Sequence, residues 1–251
     1  MTYETILYQE NDHIGLLTLN RPRTINALNQ TMIEELEDLL NKLNTSATAR
    51  VLILTGAGEK GFCSGMDMKE TASTLFEASP EMIYQAQSRA SQLFSKLRYI
   101  PQPIIAAIHG AASGVGFSFA MASDVRVITP EARFNAAYIN IGLGGADMAS
   151  SYFLPRLIGA GRANELLLTG DFLSSEDAMC LGFVSRVVPK DSLLDTAYEI
   201  AGKMTGKNPL GLKMTKEAIN INLGVSTLEQ ALHLENRNQS FLITALKINT
   251  P

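Results

Sequence analysis

Hydrophobic positions in the first two thirds of the chain fall into short runs, separated by longer segments with helical spacing. Ile14-Gly-Leu-Leu-Thr-Leu19 reads as a strand ended by Asn20-Arg-Pro22. Val51-Leu-Ile-Leu-Thr55, Ile104-Ile-Ala-Ala-Ile108 and Val125-Arg-Val-Ile128 read as further strands, the first two followed by glycine. Strands this uniformly apolar are buried on both faces, as in parallel sheets covered by helices. Between the first two, Thr31-Met-Ile-Glu34 reads as a capping box, and Ile33, Leu36, Leu39, Leu40 and Leu43 make one helical stripe. Alternation of this kind predicts an α/β fold with layered helices, not a sandwich.

From Asp191 the pattern becomes almost wholly helical. Helices are expected to begin near Asp191, at Asn208-Pro209 and at a capping box Ser226-Thr-Leu-Glu229. The last carries Leu228, Leu232, Leu242 and Ala245 on its apolar side. About 60 helical residues bury little alone, so this tail must pack on the body or on another subunit. The expected division is a core over 1–190 and a helical subdomain over 191–251.

Composition narrows the function classes. The chain has 251 residues, 46% hydrophobic and 18% charged, which is globular, not disordered. A net charge of −4 gives no electrostatic footprint for nucleic acid or anionic lipid. The two cysteines, Cys63 and Cys180, form no scaffold or CxxC, and His13, His109 and His233 have no metal-ligand spacing. Most metal-hydrolase chemistry is thereby removed. Met1-Thr-Tyr-Glu-Thr-Ile lacks the basic and apolar regions of a signal peptide, and no run reaches the ~18 apolar residues of a bilayer span. The expectation is a cytoplasmic protein without membrane or nucleic-acid partners.

Two glycine clusters follow strands. Gly56-Ala-Gly58-Glu-Lys-Gly61 spells the dinucleotide pattern, but no helix opens at its third glycine and no acid-tipped second strand follows. Gly110-Ala-Ala-Ser-Gly114-Val-Gly116 leads into the apolar Phe117-Ser-Phe-Ala-Met-Ala122. Free N–H groups at a helix start suit an anion or a developing oxyanion; a tight turn needing small residues explains the glycines equally well. Paired with Phe62-Cys-Ser-Gly65-Met-Asp67, it could bring two N–H groups from separate loops onto one carbonyl oxygen.

At these residues the sequence resembles the crotonase (enoyl-CoA hydratase/isomerase) superfamily. The likeness includes Asn20-Arg-Pro-Arg-Thr-Ile-Asn-Ala-Leu-Asn29, Gly61-Phe-Cys-Ser-Gly-Met-Asp67 and Pro103-Ile-Ile-Ala-Ala-Ile-His-Gly110. It continues through Ala122-Ser-Asp-Val-Arg126, Leu154-Pro-Arg-Leu-Ile-Gly159, Leu168-Thr-Gly170 and Gly182-Phe-Val-Ser-Arg-Val-Val188. The resemblance implies a crotonase-like ββα spiral with a C-terminal helical trimerisation region, as a homotrimer or a dimer of trimers. It implies an acyl-CoA thioester as substrate and no other cofactor, in fatty-acid or related acyl-CoA metabolism. The two oxyanion-hole N–H groups carry over to Met66, after Gly65, and to Val115, between Gly114 and Gly116. Ala27, Leu28, Asp67 and Met68 would line the coenzyme A path, and the segment 71–82 would wall the acyl chain.

The chemistry departs from the hydratase pattern. The two glutamates that activate water in hydratases correspond here to Ser118 and Tyr138. A hydroxyl of ordinary pKa is no base near neutral pH, so both are expected to line the pocket. One acid remains in the region, Asp147, in Gly142-Leu-Gly-Gly-Ala-Asp-Met-Ala-Ser-Ser-Tyr-Phe-Leu-Pro-Arg156. It matches a carboxylate that moves protons in dienoyl-CoA isomerases and attacks carbon in 4-chlorobenzoyl-CoA dehalogenase. The dehalogenase also uses a helix histidine and a tryptophan; here the helix offers Ser88, Ser91 and Gln92, and Tyr138 replaces the tryptophan. The leading expectation is hydration or isomerisation through an enolate, with Asp147 as acid/base. The alternatives are hydrolysis or substitution with Asp147 as nucleophile, and a non-catalytic acyl-CoA binder in which Asp147 merely caps a helix. RNA binding, as in one crotonase branch, is opposed by the acidic Glu34, Glu35, Glu37 and Asp38.

Overall fold

The computed structural model describes residues 3–46, 48–71 and 77–248. A large sheet holds β1 (Ile6–Asn11), β2 (Ile14–Leu19), β3 (Val51–Gly56), β5 (Ile104–Ile108), β7 (Val125–Ile128) and β10 (Arg186–Val187), in that order. Only β1 runs antiparallel to its neighbour. A smaller sheet orders β4 (Gly61–Cys63), β6 (Ala111–Ser113), β8 (Arg133–Asn135) and β9 (Leu173–Ser174), with β9 antiparallel to β8. Each of β3, β5 and β7 is thus followed by a strand of the small sheet and then by helix. Three ββα turns stack into the expected spiral.

The helices of the spiral are α1 (Gln30–Ser46), α2 (Pro80–Tyr99), α3 (Val115–Ala122), α4 (Ser150–Ile158), α5 (Ala160–Thr169) and α6 (Ser175–Cys180). The stripe Ile33, Leu36, Leu39, Leu40 and Leu43 is buried as its spacing predicts, but α1 starts earlier than Thr31. The cap is Asn29, whose Oδ1 accepts from Met32 N at 3.0 Å, while Glu34 accepts from Gln30 and Arg89. All eight residues of α3 are buried. Below it Phe117, Phe134 and Phe183 meet pairwise at 5.1–5.6 Å, two of the three contacts edge-on.

The large sheet is apolar on both faces because each face has a core. Leu52, Leu54, Ile104, Ala106 and Ile108 point into the main core with α1, α2 and α3. Val51, Ile53, Ile105, Ala107 and Val127 point the other way, where α7 (Leu193–Thr205) lays Leu193, Ala197 and Ala201 on them. So the first helix of the tail packs on the body. The next, α8 (Pro209–Asn222), is capped by Asn208 as expected and is pinned by polar groups. Lys216 Nζ lies 2.9 Å from Asp124 and donates to Gln102 O at 2.7 Å, and Asn220 donates to Arg98 O. The last helix, α9 (Leu228–Ile248), is capped by Thr227 through Gln230 N, one residue beyond the expected Ser226, and packs against α8. Leu228, Leu232, Phe241, Ile243 and Leu246 on it stay exposed. Among the described residues no helix is long and apolar enough to cross a membrane, and no cluster of metal ligands forms.

Asn26 joins the first loop to the spiral. It is fully buried with φ 54°; its amide donates to Ala57 O at 2.9 Å and Phe62 O at 3.0 Å, and its Oδ1 accepts from Arg21 N. Asn26→Ala strands these carbonyls and places a β-branch-free but non-glycine, non-Asx residue in the left-handed region. The expected loss is about 2–3 kcal/mol, read as a lower denaturant midpoint. At the second pin, Asp124→Asn leaves Lys216 buried without its counter-charge and is expected to cost about 3 kcal/mol. Lys216→Met leaves Asp124 paired with Arg98 at 3.2 Å and with Ile104 N at 2.8 Å, so its midpoint should stay much nearer wild type.

Candidate active site

Two loops meet where the small sheet ends. Strand β4 runs into Ser64-Gly65-Met66-Asp67, with Gly65 at φ 110°; strand β6 runs into Gly114, at φ 52°, and then α3. A β-carbon on Gly114 would lie 3.7 Å from Gly65 Cα and 3.3 Å from the Tyr138 ring. One on Gly116 would lie 2.2 Å from Cys63 O. Both positive φ angles and the near contact of the two backbones require glycine. Leu28 N donates to Gly65 O and Asp67 N donates to Leu28 O, both at 2.8 Å, so Met66 sits between two fixed peptides. Neither Met66 N–H nor Val115 N–H donates to any acceptor among the described residues. Val115 opens α3, so its free N–H also carries the positive end of that helix.

The residues expected to line the coenzyme path are beside these loops. Ala27 and Leu28 are buried and Met68 is exposed. Asp67 is buried, which pushes its carboxyl up, but Arg21 at 2.8 Å and the N–H groups of Lys69 and Glu70 hold it below the usual aspartate range. Its carboxylate is therefore committed to the loop. Of the segment 71–82, residues 72–76 lie outside the described residues, Thr71 is half-buried and Met82 is exposed. The dinucleotide-like Gly56–Gly61 stretch is a turn from β3 to β4 with no helix on it.

Ser118 and Tyr138 are buried and meet Oγ to OH at 3.5 Å, a contact at the limit of hydrogen bonding. Burial pushes the Tyr138 phenol far above its ordinary value, so it stays protonated. The Cys63 thiol, fully buried, is pushed up to about 12 and is no nucleophile at neutral pH. Burial depresses the His109 imidazole, which leans on the Gly58 carbonyl, while His13 and His233 are exposed.

Asp147 lies near Tyr138. Its negative charge acts on Tyr138 and raises that phenol further. The carboxylate is half-buried, and this burial raises it from the usual aspartate value, against the hydrogen bonds it accepts. Oδ1 takes Met148 N at 2.8 Å and Gln87 Nε2 at 2.5 Å; among the described residues Oδ2 takes nothing. Met148 and Ala149 follow at φ 46° and 66°, two left-handed residues that are not glycine, a conformation that costs about 1–3 kcal/mol each. The side chain does not cap α4: that helix has no side-chain cap bond, and only the backbone of Asp147 bonds to Ser150. Ser88, Ser91 and Gln92 do not reach Asp147; Gln87, one residue before Ser88, does. Its helical spacing to the buried Ala90, Phe94 and Leu97 places it on the helix but does not by itself single it out.

Comparison with known proteins agrees with this geometry. The family model for enoyl-CoA hydratase/isomerase matches residues 9–250. A Mycobacterium leprae (strain TN) protein named "Probable enoyl-CoA hydratase echA12" is 38% identical over 232 residues, spanning 91% of this chain and 79% of its own. The 1,2-epoxyphenylacetyl-CoA isomerase of Escherichia coli K12 is 34% identical, over 94% of this chain and 89% of its own. The crystal structure of an enoyl-CoA hydratase from Bacillus anthracis superposes with a TM-score of 0.90 at 35% identity, covering 96% of this chain and 92% of that one. Spiral, paired glycine loops and sequence together place the chain in the enoyl-CoA hydratase/isomerase family, as an enzyme of that family.

Proposed function

We propose that the chain moves a proton along an acyl-CoA thioester, using Asp147 as the base and the Met66 and Val115 N–H groups as the oxyanion hole. The observation that carries this reading is the pair of N–H groups with no acceptor among the described residues, on touching glycine loops beside Tyr138, together with a half-buried carboxylate whose charge reaches Tyr138 and whose Oδ2 meets no donor among the described residues. A CoA thioester is the substrate class named for the relatives above. With its carbonyl oxygen between the two N–H groups, the thioester α-carbon loses a proton to Asp147 and the charge moves onto oxygen. Each such donor is worth roughly 100- to 1000-fold in rate. Asp147 then returns the proton at the γ-carbon, which shifts the double bond without adding water.

Isomerisation fits the remaining residues better than hydration. Ser118 and Tyr138 stand where the resemblance puts the two water-activating glutamates, and neither titrates near neutral pH. A single carboxylate that takes and returns one proton needs no second base. Coenzyme A enters with the substrate, and the residues call for no further cofactor. The exposed apolar residues of α9 support a homotrimer or dimer of trimers built on the 191–251 subdomain, and a net charge of −4 with no membrane-crossing helix among the described residues supports work in the cytoplasm.

Three acyl-CoA assays decide the reaction: a 3-enoyl-CoA for double-bond migration, crotonyl-CoA for hydration, and a saturated acyl-CoA for release of free CoA. Asp147→Asn should lower kcat on the migrating substrate about 100-fold or more, with CoA binding retained; unchanged turnover would overturn the assignment. Because Asp147 must be ionised to act and burial raises its pKa, kcat/KM should fall on the acid side of a limb lying above the usual aspartate range. Gly65→Ala, at φ 110° with its new β-carbon 3.3 Å from Ser113 O, should displace Met66 N–H. Its kcat should drop at least about 10-fold while the circular dichroism stays native.

A further inference from the structure

We propose that Gln87 is a positioning residue: its amide holds Asp147 by one carboxylate oxygen and leaves the other free to carry the proton. The proposal rests on the reading of Asp147 as the base. A carboxylate only accepts, so the Gln87 side chain must present Nε2, and it does so to Oδ1 at 2.5 Å. Met148 N–H binds the same oxygen at 2.8 Å. Two donors on Oδ1 fix the rotation of the carboxylate and draw charge to that oxygen. Oδ2, with no partner among the described residues, is then the oxygen left to meet a substrate proton.

Helix α2 gives Gln87 its aim. Ala90, Leu93, Phe94 and Leu97 bury one side of the helix, and the Phe94 ring lies 5.1 Å from Phe119 of α3. On another side, Arg89 and Lys96 reach Glu37 of α1 at 2.8 and 3.5 Å. Contacts on two sides set the rotation of α2 about its axis. Gln87 falls in line with Ala90 and Phe94, three and seven residues on, but at the exposed end of that stripe, where its side chain reaches Asp147. The neighbours of Asp147 are few. From α2 comes the neutral Gln87, from its own loop Met148 N–H, and from the segment after β8 the protonated Tyr138, which Ser118 of α3 touches. No cation is among the causes of its shift; the hydrogen bonds from Met148 N–H and, after it, from Gln87 hold Asp147 ionised against burial, and of the two only Gln87 comes from another element.

The test is the pH dependence of kcat and kcat/KM on the 3-enoyl-CoA substrate, for wild type, Gln87→Ala, Gln87→Glu and Asp147→Asn. Gln87→Ala removes the donor; the acidic limb should move up by about 1 pH unit, with kcat on the order of 10-fold lower and KM nearly unchanged. Gln87→Glu keeps the side-chain shape and so the packing of α2, but sets a second carboxylate against the first. It should move the limb further up than Gln87→Ala does. If both variants leave the limb and kcat where wild type has them, or change KM alone, the positioning role is overturned. Asp147→Asn separates the two failures. An inactive Asp147→Asn beside unaffected Gln87 variants removes only the role of Gln87, whereas an active Asp147→Asn removes the base assignment and this proposal with it.

Discussion

The site depends on two backbones touching where side chains would keep them apart. Strands β4 and β6 are parallel neighbours, so the loops leaving them point the same way and arrive at the same place. Gly65 and Gly114 let the chains close, and Gly116 lets the first turn of α3 sit on Cys63 O. That closure leaves the N–H groups of Met66 and Val115 with no acceptor among the described residues. In a folded protein an unsatisfied donor is costly unless water or a ligand meets it. The spiral around these loops, with cores on both faces of the large sheet, supplies the rigidity that holds two such donors in place.

Around this centre the ionisable groups have been sorted by environment. Tyr138, Ser118 and Cys63 are buried enough to remain neutral, and Asp67 is fixed by Arg21 to the loop it stabilises. Asp147 is only half-buried, with its Oδ2 meeting no donor among the described residues and its pKa raised by burial. Identity of residue says little here; the two aspartates differ in role because one has a guanidinium and the other has an amide. The left-handed Met148 and Ala149 show that the loop is bent at some cost to bring Asp147 to its place.

Much of the fold could be read from the chain because burial writes itself as pattern. The runs at Val51, Ile104 and Val125 are strands, and the stripe from Ile33 to Leu43 is buried. Caps were legible only to within a residue or two, since Asn29 and Thr227 stand close to equally good capping residues at Thr31 and Ser226. The glycine loops were visible through their spacing after strands. Gln87 was not, because glutamine on an exposed half of a helix has no signature until the helix's rotation and its partner 60 residues away are known. The roles of Asn26 and Arg21 were hidden likewise: the carbonyls that Asn26 holds, and the Ala27 carbonyl and Asp67 carboxylate that Arg21 holds, are brought near only by folding.

Helix α2 is divided along its length. From Ala90 to Leu97 its side chains fill the core, whereas residues 81–87 are all exposed. Substitutions in the first stretch are limited by packing; in the second, away from Gln87, they cost the fold little. That exposed stretch is thus freer to change than the buried half of the helix. A lineage could drift there while the glycine loops and the core stayed as they are, so the surface of this helix and the framework of the site would be governed by different residues.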